Sequence, residues 1–239
     1  MVSFANERFF RSQSFLVDSG KKYFDGHASF NPNYIDREFT AKNKHIFNQK
    51  RGYGYWLWKP YIIRETLKQV KEGDAVFYVD SGNLIVSDPN VLIDICKKTD
   101  KGILLFENRD GAPANTIWKN YQWTKYDCFK KMNCLNDTYT QGNQVDGSYV
   151  VTIKNDFTMS FFDEYVAHCE DEDILTDAPN KLGSNLQGFK DHRHDQSVLS
   201  LMAIREKLTV AREPSEWGND YMTAEYNYPQ IFSHHRGII

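Results

Sequence analysis

Lys71-Glu-Gly-Asp-Ala-Val-Phe-Tyr-Val-Asp-Ser-Gly-Asn83 is the stretch on which the fold turns. Gly73-Asp74 is a turn signal. Ala75, Val76, Phe77, Tyr78 and Val79 form an unbroken apolar run, short enough for a strand buried on both faces. The run stops at Asp80-Ser81-Gly82. A carboxylate at the carboxyl end of a buried parallel strand lies where open α/β sheets bind their ligands. Burying it unpaired is costly, so the pattern predicts a partner for Asp80, either a metal ion or a ligand hydroxyl. The alternative is a turn cap, with Asp80 bonding its own backbone and Gly82 at positive φ.

Working outward, the chain alternates strands with helical patterns. Met1 to Ala5 reads as a short first strand, and Phe9–Phe24 and Tyr34–Phe47 as helices with aromatic faces. Lys59–Lys71 is the clearest helix: Ile62, Ile63, Thr66, Leu67 and Val70 share one face, and Pro60 sits in the first turn. Asp88-Pro89 starts another helix, with Asp88 as cap. Gly102–Phe106 and Asp146–Ile153 read as strands, and Asn155 caps a helix carrying Phe157, Phe161, Phe162, Tyr165 and Val166. Glu170-Asp-Glu-Asp173 opens a polar loop reaching Lys190, its acidity a solvated face. A helix over Asp195–Lys207 and a strand over Leu208–Ala211 follow. The aromatic tail (Trp217, Tyr221, Tyr226, Tyr228, Phe232) is expected to wrap back over the domain. With no repeat and no linker, the expectation is one α/β domain, residues 1–239, with a mainly parallel central sheet flanked by helices.

At 239 residues with 41% hydrophobic and 15% aromatic content, the chain can fill a substantial core, which excludes disorder. A formal net charge of −3 argues against nucleic-acid binding through a broad basic surface. No apolar run approaches the roughly 20 residues of a membrane span, and the N-terminus lacks a secretory pattern. Cys96, Cys128, Cys134 and Cys169 have no paired spacing, so free thiols in a cytoplasmic protein are expected.

Three further clusters carry chemistry. Arg51-Gly-Tyr-Gly-Tyr-Trp-Leu-Trp-Lys-Pro60 combines glycines for close backbone approach, aromatic faces suited to a sugar or nucleobase, and Arg51 and Lys59 for phosphate. It reads equally as a packed aromatic turn leading into a helix. His192-Arg-His-Asp-Gln-Ser197 opens a helix. Asp195 suits the macrodipole there, but the combination exceeds what capping requires. Ser233-His-His-Arg236 is the weakest of the three, since adjacent histidines are ordinary on surfaces.

Together with Trp123-Thr-Lys125, these motifs make the chain resemble GT-A-fold glycosyltransferases, in particular a small group from bacterial surface-polysaccharide loci and from large DNA viruses that glycosylate their own capsids. The resemblance runs from the N-terminus to about residue 205 and implies a Rossmann-like GT-A domain. Residues 1–110 would bind the nucleotide, and 111–239 would form the acceptor side and tail. It implies donor contacts from Phe4, Ala5, Arg51, Tyr55, Trp58, Lys59, Tyr78, Asp80, Ser81, Gly82, Lys125 and His194. Asp195 and Gln196 would face the donor sugar as the catalytic pair. The donor would be a nucleotide sugar, with a UDP-sugar favoured, and the acceptor a glycan hydroxyl. The group's strand normally ends in a DxD motif holding a divalent cation, Mn²⁺ or Mg²⁺. Here Asp80 matches the first position, but Gly82 stands where the second carboxylate is expected. His234 or His235 would complete the metal shell with Asp80.

The implied reaction transfers a hexose or deoxyhexose. Negative charge gathers on the departing diphosphate and must be neutralised. Without a metal, Lys59, Lys125, Arg193 or Arg236 would have to do so. Asp195 is the candidate general base of an inverting reaction, or the stabiliser of a positive anomeric centre in a retaining one. The alternatives are a catalytically inactive nucleotide-sugar or glycan-binding module, and a glycoside hydrolase using Asp80 and Asp195.

Overall fold

The computed structural model describes residues 1–108, 116–220 and 227–235. A six-stranded sheet has the order β2-β1-β3-β6-β5-β7, with β1 Val2–Phe4, β2 Ala28–Phe30, β3 Ala75–Val79, β5 Ile103–Phe106, β6 Tyr149–Ile153 and β7 Thr209–Ala211. β6 runs antiparallel to its neighbours β3 and β5, and the other pairings are parallel, so the sheet is mainly parallel as expected. A second small sheet pairs β4 (Asn83–Ile85) with β8 (Phe232–His234) antiparallel.

The apolar run of β3 is buried on both faces because successive side chains enter different cores. Val76 and Tyr78 join the cluster containing the helices Trp58–Gln69, Asp156–Cys169 and Asp195–Arg205. Phe77 and Val79 join the cluster formed by Leu92, Ile93, Tyr228 and Phe232. The turn before β3 closes as its residues dictate: Gly73 has φ 82°, and the Asp74 carboxylate accepts from Lys71 N at 2.9 Å. Asn155 caps the helix Asp156–Cys169 in a reciprocal capping box with Thr158. The aromatic tail wraps back in part: Tyr228, Ile231 and Phe232 are buried and Trp217 stays exposed, while Tyr221 and Tyr226 lie outside the described residues.

Several expectations need correction. The helix read over Tyr34–Phe47 is two, Arg37–Lys42 and Lys44–Phe47. It breaks at Asn43, whose side chain bonds Phe39 O and Glu170 instead of leaving the backbone helical. β6 starts at Tyr149, not Asp146, because the Asp146 carboxylate accepts from Ser148 N at 2.7 Å and closes a turn. The acidic run after Glu170 is not simply solvated. Asp171 caps a short helix, Glu172–Leu175, and Lys42, Lys131 and Lys181 pair with the acids. All four cysteines are free and buried, and burial pushes Cys96 up to about 12. Among the described residues no helix is long and apolar enough to cross a membrane.

Candidate active site

Two cavities meet at the carboxyl end of β3. The larger, about 690 Å³, is bordered by Phe4, Arg8, Trp58 and Asn83 on one side and by His234 on another. The smaller, about 120 Å³, is bordered by Lys59, Gly147, His194, Asp195 and Gln196. Arg51, Trp56, Asp80 and Ser148 border both.

Asp80 has its predicted partner, but it is supplied by the protein. The Tyr78 hydroxyl donates to Asp80 Oδ1, and Lys59 Nζ lies 3.6 Å from the same oxygen. The turn-cap alternative fails, since Gly82 is not among the residues at positive φ. Lys59, only 3% exposed, donates to Gly147 O at 2.8 Å and stands 3.1 Å from Asp195 Oδ2. Burial disfavours the Lys59 charge, but Asp195 and Asp80 outweigh it and hold the ammonium above its ordinary range. Burial lifts the Asp195 carboxyl to about 6 against the pull of Lys59. Burial also keeps the Tyr78 phenol protonated, so it stays a donor.

The His192–Gln196 motif divides its labour. His192 Nδ1 accepts from Lys125 N, which leaves its Nε2–H to donate to Ile174 O at 2.8 Å. His194 Nδ1 lies 2.8 Å from Leu175 O. Burial lowers both histidines, His194 to about 4, so they are neutral structural anchors. At His194 the backbone bends through φ 54°, ψ −123°, and Asp195 and Gln196 follow into the smaller cavity. Gln196 Oε1 accepts from Gly147 N at 3.3 Å, and its amide donates to Gln144 Oε1 at 3.1 Å.

Phe4, Ala5, Trp58, Asp80, Ser81, Gly82 and His234 all border the larger cavity. Trp58 stacks on Phe4 at 4.0 Å and donates to Gly52 O. Other expected residues are placed elsewhere. Lys125 borders neither cavity: its ammonium is buried against the carbonyls of Thr176 and Ala178, 3.1 and 2.6 Å away. Tyr55 borders neither and packs its ring 4.7 Å from His194. Arg51 does border both, but its guanidinium is engaged by Asp177 and Asp191 at 2.9 and 2.7 Å. Arg193 borders the smaller cavity with its guanidinium over the Trp123 ring, and Arg236 is outside the described residues. Asn6, Arg8, Asn83, Gly147 and Ser148 were not singled out in the sequence. The turn residues Asp146-Gly147-Ser148 ahead of β6 were the signal available for the last two.

A divalent cation at Asp80 would find few protein ligands. Among the described residues no group of three or more His, Cys, Asp or Glu side chains converges. Asp80 Oδ1 is held by Tyr78, so one oxygen is left. His234 borders the cleft with Nδ1 3.3 Å from Glu216 and Nε2 3.3 Å from the Tyr149 hydroxyl. His235 is 7% exposed behind Gly82, donating from its backbone to Gly82 O, and does not border the cleft. The set does not make a closed protein cage. The residues that would hold a cation here are Asp80, through its free oxygen, and His234, which borders the same cavity.

No family model and no curated protein matches the chain. Solved structures do. The apo structure of the bifunctional glycosyltransferase WbbM superposes with a TM-score of 0.50 at 11% identity, over 98% of this chain and 45% of that one. The apo form of the glycosyltransferase GlyE of Streptococcus pneumoniae TIGR4 gives 0.50 at 12% identity, over 98% and 53%. A glycosyltransferase involved in glycosylation of the major capsid of PBCV-1 gives 0.47 at 9% identity, over 98% and 92%. The chain spans about half the length of the first two. Its mainly parallel sheet flanked by helices is the GT-A fold of the glycosyltransferases.

Proposed function

We propose that the chain transfers a hexose or deoxyhexose from a nucleoside-diphosphate sugar, with uridine diphosphate favoured, to a hydroxyl of a glycan acceptor. The observation that carries this reading is the Lys59 ammonium standing between Asp80 and Asp195 at the junction of the two cavities. The larger cavity has the size of a small-molecule site, roughly 300–1,000 Å³, and takes the nucleotide. The smaller takes the sugar. The diphosphate then lies at Asp80. Arg8 and Lys50 border the larger cavity with no carboxylate partner among the described residues, and their charge suits an anionic donor.

The bond from the anomeric carbon to the diphosphate breaks, and its electron pair leaves with the diphosphate. The acceptor oxygen bonds the anomeric carbon and gives up its proton. The transition state carries oxocarbenium-like positive charge, which the neighbouring carboxylates stabilise. Asp195, ionised at neutral pH with a carboxyl near 6, takes the acceptor proton in an inverting reaction. In a retaining one it faces the cationic centre. Lys59 orients Asp195, and Gln196 is fixed through Gly147. When bound, a divalent cation neutralises charge on the departing diphosphate.

The test is incubation with a panel of nucleotide sugars, following release of free nucleotide. Turnover of a UDP-sugar is expected, with Asp80→Ala folded and inactive. Binding without turnover supports the inactive module instead, and cleavage of simple glycosides without nucleotide supports a hydrolase. Good binding of guanosine or thymidine diphosphates but not of uridine diphosphate overturns the donor class.

A further inference from the structure

Gly52-Tyr-Gly-Tyr-Trp56 holds five consecutive residues at positive φ, at 58, 51, 81, 52 and 61°. It forms a left-handed helical turn, with Tyr55 N–H donating to Arg51 O at 2.8 Å and Trp56 N–H to Gly52 O at 3.2 Å. The two glycines accept this readily, but Tyr53, Tyr55 and Trp56 do not, because Cβ crowds the following carbonyl. Strain of this kind persists only where the surroundings over-determine it, and it concentrates at ligand sites.

The turn dictates where the Trp56 indole lies. A Cβ on Gly52 would fall 2.4 Å from two of its ring carbons, so only glycine lets the backbone lie against the ring. The indole also stacks on His194, with centroids 5.5 Å apart and planes 24° apart. His194 is itself tied to Leu175 O, so the ring is held firmly. Trp58 and Trp123 spend their indole N–H groups on backbone carbonyls at 2.8 and 2.7 Å. The Trp56 indole N–H makes no hydrogen bond within the described residues, and the partly exposed side chain borders both cavities.

We propose that Trp56 is a specificity residue for the transferred sugar, its indole N–H donating to a hydroxyl of the sugar ring held in the smaller cavity. This rests on the donor reading above. That cavity, about 120 Å³, is bordered by Asp195 and Gln196 as well as by Trp56. The strained turn is then the device that aims a rigid donor at one position of the ring.

The test measures dissociation constants by calorimetry for UDP and for a set of epimeric UDP-sugars, in the wild type, Trp56→Phe and Trp56→Ala. Trp56→Phe keeps an aromatic face beside His194 while removing the N–H together with one ring of the indole, so it carries the test if Trp56→Ala fails to fold. A lost neutral hydrogen bond predicts about 3- to 10-fold weaker UDP-sugar binding in Trp56→Phe, with UDP binding unchanged. Discrimination between epimers at the contacted hydroxyl should narrow as well. Equal weakening toward UDP and UDP-sugars, or none toward either, overturns the assignment alone. Failure of the wild type to bind any of these ligands overturns the donor reading and takes the assignment with it.

Discussion

Lys59 Nζ lies 3.1 Å from Asp195 Oδ2, and both side chains are 4% exposed. Removing one partner of such a pair leaves a buried charge uncompensated, whereas replacing both with apolar groups is far milder. Lys59→Met is therefore expected to cost about 3 kcal/mol in urea unfolding, with the double change Lys59→Met, Asp195→Leu recovering most of it. A double variant no more stable than Lys59→Met would show that the pair is not coupled. Activity of the parent should fall as pH drops through about 6, where Asp195 protonates. In Lys59→Met that limb should move to higher pH, because the attraction that favours the carboxylate is gone.

The cation should arrive with the donor. Asp80 offers one free oxygen, and among the described residues no group of three or more His, Cys, Asp or Glu side chains could hold a metal, so Mn²⁺ alone should give little heat in calorimetry and clear binding once UDP is present. His234→Ala should raise the Mn²⁺ concentration needed for nucleotide binding without lowering the melting temperature of the free protein. Tight Mn²⁺ binding to the nucleotide-free protein would contradict this. Full activity in excess chelator would assign the diphosphate charge to basic side chains instead.

Glu213 makes stability depend on pH. Burial, reinforced by the nearby Asp146, raises its carboxyl from 4.5 to about 8, although Ser215 donates to Oε2 from both N and Oγ. Since the folded value exceeds the unfolded one, the stabilising effect is fully present below about pH 4.5 and is lost as pH rises through about 8. Glu213→Gln mimics the protonated acid. It is expected to flatten the urea midpoint between about pH 5 and 9 and to match or exceed the parent at the alkaline end. An unchanged slope would place the titrating group elsewhere.

Gly52→Ala should cost roughly 1–2 kcal/mol for the left-handed backbone alone, with more from displacing the Trp56 ring. The melting temperature should fall. If the turn exists to aim Trp56, UDP-sugar affinity should fall further than UDP affinity.

Much of the architecture was legible in local pattern. The β3 run, the Gly73 turn, the Asn155 cap and the helix after Trp58 are set by neighbours in sequence, and they stand where the periodicity placed them. The strands β2, β4 and β8, three residues each, were not read from the sequence. Nor was the break at Asn43, which depends on Glu170, 127 residues away. Within the site, the cavities bring together Asp80, Asp195, Gln196, His194, Trp58 and Lys59 from the motifs singled out. Lys125 and Arg51 read as free cations in sequence, yet both are engaged by loop residues far along the chain.

The sequence by itself determined that a buried strand would deliver Asp80 to a sheet end, that a helix would begin at Asp195, and that glycines would let an aromatic segment come close. These follow from apolar spacing and backbone conformational preference, which act over a few residues. Only the tertiary structure decided that Lys59 would stand between Asp80 and Asp195 and donate to Gly147, 88 residues on. It also decided that both histidines flanking Arg193 would be anchors, and that a left-handed turn would leave Trp56 with an unspent donor at the junction of the cavities. Charge pairing and hydrogen-bond satisfaction depend on distances between elements, and those distances are set only when the sheet, its covering helices and the returning tail have packed.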